Sequence, residues 1–531
     1  LLIRIIDILL PHYEDRSDTE SLLFLYICAG FSYMELSRTG EPTSRDKTIY
    51  FYTKVLSYRD QIEFFESATS RDYIFIAYYN LIRVAPGLGI LDIETAYRLW
   101  EELCQIRTMP KFCQYDTTNP RIPQLCDCAI NDFRAYGAVL NVERVIAPSA
   151  ILSSLENMTQ IYYSEILHEH GSIYECPVFT VFNYHYVQAR NGTITWEAAW
   201  QILDDYYVHK MQTIGPVSSP DLLAFYTNLP LNLIDVLGHT HFKEEFKQAT
   251  YRRYRNLITS YLMNQPASLH SYTLNNGVQL VAFHPLILGT FQNRMEKMNF
   301  IVDLVVTRHL TTFTHSVMVS YLAEAIGKHI LAARPELLRI PSSYLEGNVY
   351  ASPAEVLDYI VPAALFHDIG KNGMIPIINT QHRKLNDYEF NIIQTHPQKG
   401  SDYLSSDPDF LIYQPVALGH HRSYDGTRGY PLSFDNTASP YRDAIDLIHI
   451  CDCLDAATDY LSRNYHRAKP FDVVLNELKA GRGTEYNPDM VDVILSDREL
   501  YNDLKMLTEQ NRENIYYDIY LTFVNLRKKR Q

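Results

Sequence analysis

The chain has 531 residues, too many for one compact core, so two to four domains are expected. Hydrophobic residues make up 47% and charged residues 21%, which excludes wholesale disorder. A formal net charge of −15 excludes a general nucleic-acid-binding surface, which needs a basic stripe, so a phosphate-bearing ligand must be held by a local cluster of cations.

In chain order, Leu1–Leu10 is apolar but short, and Arg4 and Asp7 interrupt it. No uncharged apolar run in the chain reaches the roughly eighteen residues of a membrane-spanning helix. The chain opens on Leu1 and not on Met, so an upstream anchor or sensor stays compatible with the sequence. Residues 1–265 read as a helical domain, with apolar residues at three- and four-residue steps in Ser21–Ser37, Arg71–Val84, Ile93–Ile106 and Thr195–Tyr207. Ala85–Gly89 and Gly215–Pro220 break these helices. The segments Thr95–Leu103 and Trp196–Leu203 look alike and resemble degenerate tetratricopeptide-type repeats. An irregular all-helical domain fits as well, because no strict period recurs. Either form suits a regulatory or interaction module.

Residues 266–298 read as a connector: Asn275-Asn276-Gly277 is a turn signal, and Val278–Phe283 has β-type composition. Helical patterning resumes at Asn299, defines a domain over 299–520, and ends in the basic tail Arg527–Arg530. The overall expectation is therefore all-α. Eight cysteines occur without a CxxC pair, the nearest being Cys126 with Cys128 and Cys451 with Cys453, which points to a reduced, cytoplasmic protein. The 41 tyrosines form a surplus that composition alone does not explain.

Histidines and aspartates in the last part of the chain fall in an ordered series. His315 lies on the apolar helix Phe313–Leu331. Phe366-His367-Asp368-Ile369-Gly370-Lys371 follows, then His396-Pro397 with Gly400. Next comes His420-His421-Arg422 running to Asp425-Gly426 and Gly429-Tyr430-Pro431, and last Asp452-Cys453-Leu454-Asp455-Ala456. An adjacent His-Asp pair suits a two-metal site, since the imidazole binds one ion while the carboxylate bridges to the second. Two such ions can clamp the oxygens of an in-line phosphoryl displacement and activate a water between them. Imidazole with carboxylate suits Fe, Mn or Zn better than Mg or Ca. Each piece alone is ordinary, and the order and spacing together carry the reading.

That order resembles the HD-GYP branch of the HD phosphohydrolases, phosphodiesterases that open cyclic di-GMP, over roughly residues 300–510. The stretch Leu478–Pro488 resembles the closing segment of that family. The resemblance implies an HD-type helical bundle with a di-metal centre. In it His315, His367, Asp368 and Asp452 would hold one ion, and Asp368 would bridge to a second held by His396, His420 and His421. Two ions are expected, with Fe or Mn ahead of Zn. Lys371 would face the scissile phosphate as a catalytic cation beside Asp368, and Gly426, Gly429, Tyr430 and Pro431 would shape a loop bordering the site and contacting partner proteins.

The sequence departs from the family pattern in several places. Thr311 stands where some members carry a glutamate for a third metal, and Met318 where the family often has arginine. Arg422 replaces the usual glutamate and reverses the charge beside the site. Thr427 and Arg428 lengthen the path from Asp-Gly to Gly-Tyr-Pro, and Arg463, the candidate phosphate contact, arrives late. The expected function is hydrolysis of cyclic di-GMP to linear pGpG, with continuation to GMP left open. The alternatives are the same chemistry on another cyclic dinucleotide or nucleotide, and a catalytically weak scaffold that binds signalling partners through the N-terminal helices and the Gly-Tyr-Pro loop.

Overall fold

The computed structural model describes residues 2–16, 18–37, 43–113, 120–139, 149–213, 224–265, 272–306, 308–342, 349–374, 385–461 and 468–528. The Gly215–Pro220 break, and Lys529 and Arg530 of the basic tail, lie outside these described residues. The protein is all-α. Among the described residues β-pairing is limited to isolated bridges, such as Arg422 with Gly429. The chain divides into two compact units, Leu1–Lys247 and Gln248–Gln531, and the division falls inside the Glu244–Asn264 helix, ahead of the connector read from the sequence.

In the first unit the helices expected from apolar spacing occur as Thr19–Ser37, Ala68–Tyr79, Ile93–Thr108 and Trp196–Thr213. Asp92 caps the third by accepting from the Thr95 N–H at 2.8 Å. A π-turn at Asn80–Val84 continues the second, and Gly89 then turns the chain with φ 66°. Part of the tyrosine surplus is core material: Tyr52, Tyr78, Tyr206 and Tyr207 are fully buried. Burial of the ring is compensated where the hydroxyl finds a partner, as when Tyr52 accepts from Asn80 at 2.9 Å and Tyr206 donates to the Cys176 carbonyl at 2.9 Å. Gly30 lets the Tyr52 ring approach, for a Cβ there would lie 2.7 Å from it.

In the second unit the segment read as a turn and β-type run is instead the helix Tyr272–Ala282. Leu274, Val278, Val281 and Ala282 are all buried, and their spacing is that of one helical face. Tertiary burial of that stripe outweighs the β-propensity of its valines and the turn signal of Asn276-Gly277. This helix packs on the Ile369–Gly373 turn and on Arg294–Val306.

The long helix Leu310–Ala333 packs against Pro353–Phe366 and Arg442–Thr458. Pro353–Phe366 begins with a capping box between Ser352 and Glu355 and stops at Phe366, so that His367 is its C-cap and Asp368 opens the Ile369–Gly373 turn. His396–Leu404 packs on that turn so closely that a Cβ on Gly370 would meet the His396 carbonyl at 2.0 Å. The glycine after the His-Asp pair is therefore a packing requirement. The last helix, Arg512–Lys528, closes over Met318 with Ile515 and Ile519, so Met318 fills a small apolar cluster.

Candidate metal centre

Five separate elements bring the seven candidate ligands together in two sets, Asp368 with His396, His420 and His421, and His315 with His367 and Asp452. Within each set the potential ligand atoms lie within 4.8 Å of one another. Asp368 joins the sets. Its Oδ2 lies 3.6 Å from His315 Nε2 and 3.5 Å from His367 Nε2, while its Oδ1 lies 3.1 Å from His396 Nε2 and 3.6 Å from His420 Nε2. The two oxygens of one carboxylate thus face two different pairs of imidazoles.

The ring orientations follow from local backbone. His367 Nδ1 is 2.6 Å from the Ala364 carbonyl, His396 Nδ1 is 2.6 Å from that of Ile393, and His420 Nδ1 is 3.0 Å from that of Ala417. A carbonyl only accepts, so each Nδ1 carries the proton and each Nε2 presents a lone pair to the centre. His396 Nε2 and His420 Nε2 are 3.1 Å apart, and His367 Nε2 is buried with no hydrogen-bond partner. Lone pairs facing lone pairs and a carboxylate are repulsive unless cations lie among them. The donor set and its tautomers therefore fit divalent cations.

His315 is held differently. Its Nδ1 is 2.6 Å from Asp455 Oδ2, its Nε2 is 2.9 Å from Asp452 Oδ1, and Asp455 Oδ1 is in turn 2.7 Å from Arg512. Burial alone would depress the imidazole, but the hydrogen bonds to Asp452 and Asp455 outweigh it and raise the pKa to about 9. A cation taken up at Nε2 must displace a proton there. Burial pushes His396 down to about 4 and lowers His367 and His420 as well. For Asp368 burial acts upward, yet the Lys371 ammonium beside it holds its carboxyl well below the ordinary carboxylate range. Neutral imidazoles at His367, His396 and His420 around an ionised carboxylate are the protonation states a metal needs.

Lys371 sits at the edge of the cluster, its ammonium 2.5 Å from Asp368 Oδ2. Its side chain is 18% exposed and that of His421 is 21%, so the centre opens on this side. Tyr430 stacks at a tilt over His421, with centroids 4.5 Å apart. Gly429 has φ 86°, and a Cβ there would lie 1.9 Å from the His421 carbonyl, so only glycine fits. Thr311 is exposed at the start of its helix. Arg463 lies outside the described residues.

Arg422 does not reverse the charge of the centre as its sequence position suggested. Its side chain turns away and donates to the carbonyls of Gly426 and Arg428, the latter at 2.9 Å. The guanidinium clasps the lengthened loop that Thr427 and Arg428 create. Sequence reasoning missed Arg512, which belongs to no motif, and the pairing of Asp455, which was visible only as the second aspartate of Asp-x-x-Asp. It also missed His449, whose Nδ1 donates to the His420 carbonyl at 2.7 Å while Nε2 lies 3.4 Å from Glu485 in the closing segment.

Residues 312–464 match the family model described as HD domain. The C-terminal unit carries an HD domain. The HD domain includes every residue of both candidate ligand sets. The chain is 26% identical to a cyclic di-GMP phosphodiesterase of Vibrio cholerae, over 52% of this chain and 60% of the relative. It is 33% identical to the cyclic di-GMP phosphodiesterase response regulator RpfG of Xanthomonas campestris, over 27% and 37%. It is 25% identical to the 3'3'-cGAMP-specific phosphodiesterase 2 of Vibrio cholerae, over 38% and 37%. The chain thus spans between about a third and three-fifths of the length of these relatives. No helix among the described residues is long and apolar enough to cross a membrane.

Proposed function

We propose that the HD domain is a metal-dependent phosphodiesterase that opens cyclic di-GMP to linear pGpG. The observation that carries the proposal is Asp368, whose two oxygens face separate histidine pairs, with the lone pairs of His367, His396 and His420 turned inward. His315, His367, Asp368 and Asp452 would hold one divalent ion, and Asp368, His396, His420 and His421 a second; imidazole with carboxylate suits Fe, Mn or Zn better than Mg or Ca, and the family resemblance puts Fe or Mn ahead of Zn. Two such ions supply Lewis acidity and a hydroxide at neutral pH.

The residues of the chain do the rest. Burial keeps the imidazoles of His367, His396 and His420 neutral, and backbone carbonyls at Nδ1 aim them. Lys371, on the open side, offers its ammonium to the non-bridging phosphate oxygens as charge develops on them. Tyr430 and Gly429 border the same opening and would contact the dinucleotide, and Arg463 would add a phosphate contact. The N-terminal unit is read as a regulatory or interaction module that, with the Gly-Tyr-Pro loop, engages signalling proteins. The eight free cysteines are in keeping with a cytoplasmic location.

Elemental analysis of the purified protein, combined with product analysis on cyclic di-GMP, tests the proposal. Two ions per chain and linear pGpG are expected, and protein that holds no ion after reconstitution refutes it. The match to a 3'3'-cGAMP-specific phosphodiesterase favours a second reading, the same chemistry on 3'3'-cGAMP, so both dinucleotides belong in one assay.

A further inference from the structure

Three imidazoles of the two ligand sets are aimed by bonds of their own: His367, His396 and His420 each hold Nδ1 on a backbone carbonyl. His421 has no such bond among the described residues. Its Nδ1 lies 3.6 Å from Asp452 Oδ2, beyond hydrogen-bond reach, and its Nε2 is buried without a partner. A ring in that position takes its direction from the backbone that carries it and from the groups packed on it.

That backbone is gripped by His449. The residue is buried on the helix Arg442–Thr458, three positions before Asp452 and so on the same side one turn earlier. Its Nδ1 donates at 2.7 Å to the His420 carbonyl, which is the oxygen of the peptide that joins His420 to His421. The closing segment packs the ring in place: Tyr486 stacks on it with centroids 5.4 Å apart, and Glu485 Oε1 stands 3.4 Å from Nε2. That segment is tied in turn to the Gly-Tyr-Pro loop, since the Tyr424 N–H donates to the Glu485 carbonyl at 2.9 Å and the Asp425 N–H to that of Thr484 at 3.0 Å.

A peptide group is planar and turns as one body, so its rotation swings the side chains on both flanking residues. A donor fixed on its carbonyl limits His420 and His421 together, and release is opposed because it leaves a buried carbonyl unpaired. Since the donor rides on the helix of Asp452, it also holds the second ligand set against the first. We propose that His449 is a positioning residue for the second ion: it holds the peptide between His420 and His421 and thereby aims the His421 ring. The proposal rests on the two-ion reading above and adds to it a residue outside both ligand sets.

The test uses the full-length protein loaded with Mn²⁺ and dialysed against graded chelator, with the ions left on each chain counted. Wild-type protein should lose its two ions in two steps, and His396→Ala, which touches the second set only, identifies the step of that set. His449→Phe keeps a ring against Tyr486 but no donor, and should weaken the second-set step about tenfold while the other stays within about twofold. His449→Asn loses the ring but keeps a donor, Nδ2, where Nδ1 stood, and should weaken that step by less than about threefold. A residue that only filled space would rank the variants by packing, with the phenylalanine variant above the asparagine one, and that ranking overturns the proposal. A second-set step that does not move overturns it too, as do two steps that move together. Melting temperature on the same samples reports the packing change separately, and His449→Leu repeats the measurement if the phenylalanine variant does not fold. Wild-type protein that holds fewer than two ions overturns the two-ion reading, and the positioning role with it.

Discussion

Histidines are buried in both units, yet they sit in opposite circumstances. His185 in the N-terminal unit is 8% exposed, lies against the rings of Tyr163 and Tyr184, and has no partner on either nitrogen. In the HD domain His315, His367, His396 and His420 each have Nδ1 on an acceptor, which leaves Nε2 pointed at a neighbour's lone pair or at a carboxylate. Burial alone therefore makes a core residue. Burial with Nδ1 fixed by a partner and Nε2 turned on the shared carboxylate Asp368 suits a ring to a cation. Within the HD domain a second contrast runs between rings held by backbone carbonyls and His315, which is held by the ionised pair Asp455–Arg512.

The largest effect is expected where both sets meet. Asp368→Ala should reduce turnover to background and strip metal from both sets, because one residue is lost from each. A variant that keeps its metal and its activity would break the idea that one carboxylate serves two sets. Next, Arg512→Met leaves Asp455 as a buried charge without its cation and should cost about 3–5 kcal/mol in denaturant unfolding. A loss below about 1 kcal/mol would mean that water or another group serves Asp455 equally well.

Lys371→Ala should lower kcat by about 10²–10³ at unchanged metal content, the loss of one preorganised electrostatic contact. Unchanged kcat on metal-quantified protein would leave Lys371 as only the partner of Asp368. Asp455→Asn keeps the shape but weakens the hold on His315, so metal affinity should fall about 10–100-fold, read by competition with a chelator. Equal affinity in the variant would erase the contrast between the two ways of holding a ring.

His185 sharpens the comparison from the other unit. Burial lowers its pKa from 6.5 to about 4. Between those values the unfolded chain binds a proton that the folded chain refuses, so stability is full above pH 6.5 and falls as pH drops through this window. At pH 5 the loss should be about 2 kcal/mol. His185→Phe should flatten that part of the stability–pH curve, and an unflattened curve would assign the acid sensitivity to other groups.

Metal-type chemistry was legible in the sequence because it tolerates few side chains. An imidazole or a carboxylate at a ligand position has no apolar substitute, so His315, His367, Asp368, His396, His420, His421 and Asp452 stand out in order even before any contact is known. The glycines were legible for a related reason, since Gly370 and Gly429 sit where another backbone leaves no room for a Cβ. The helix Ile93–Thr108 could be read because burial of one face, through Ile93, Ala96 and Leu103, leaves its period in the chain.

What the tertiary structure alone decided concerns residues whose meaning depends on a distant partner. Val278–Phe283 has the composition of a strand, and only the neighbours of Leu274, Val278 and Val281 make it helical. Arg422 reads as a charge beside the site, and only the path of the loop shows its guanidinium on the carbonyls of Gly426 and Arg428. Arg512 belongs to no motif in the sequence, yet it is fully buried beside Asp455. Local chemistry sets which groups can act, since it resides in each side chain. Pairing between side chains far apart in sequence is set by the fold, since it exists only when they meet.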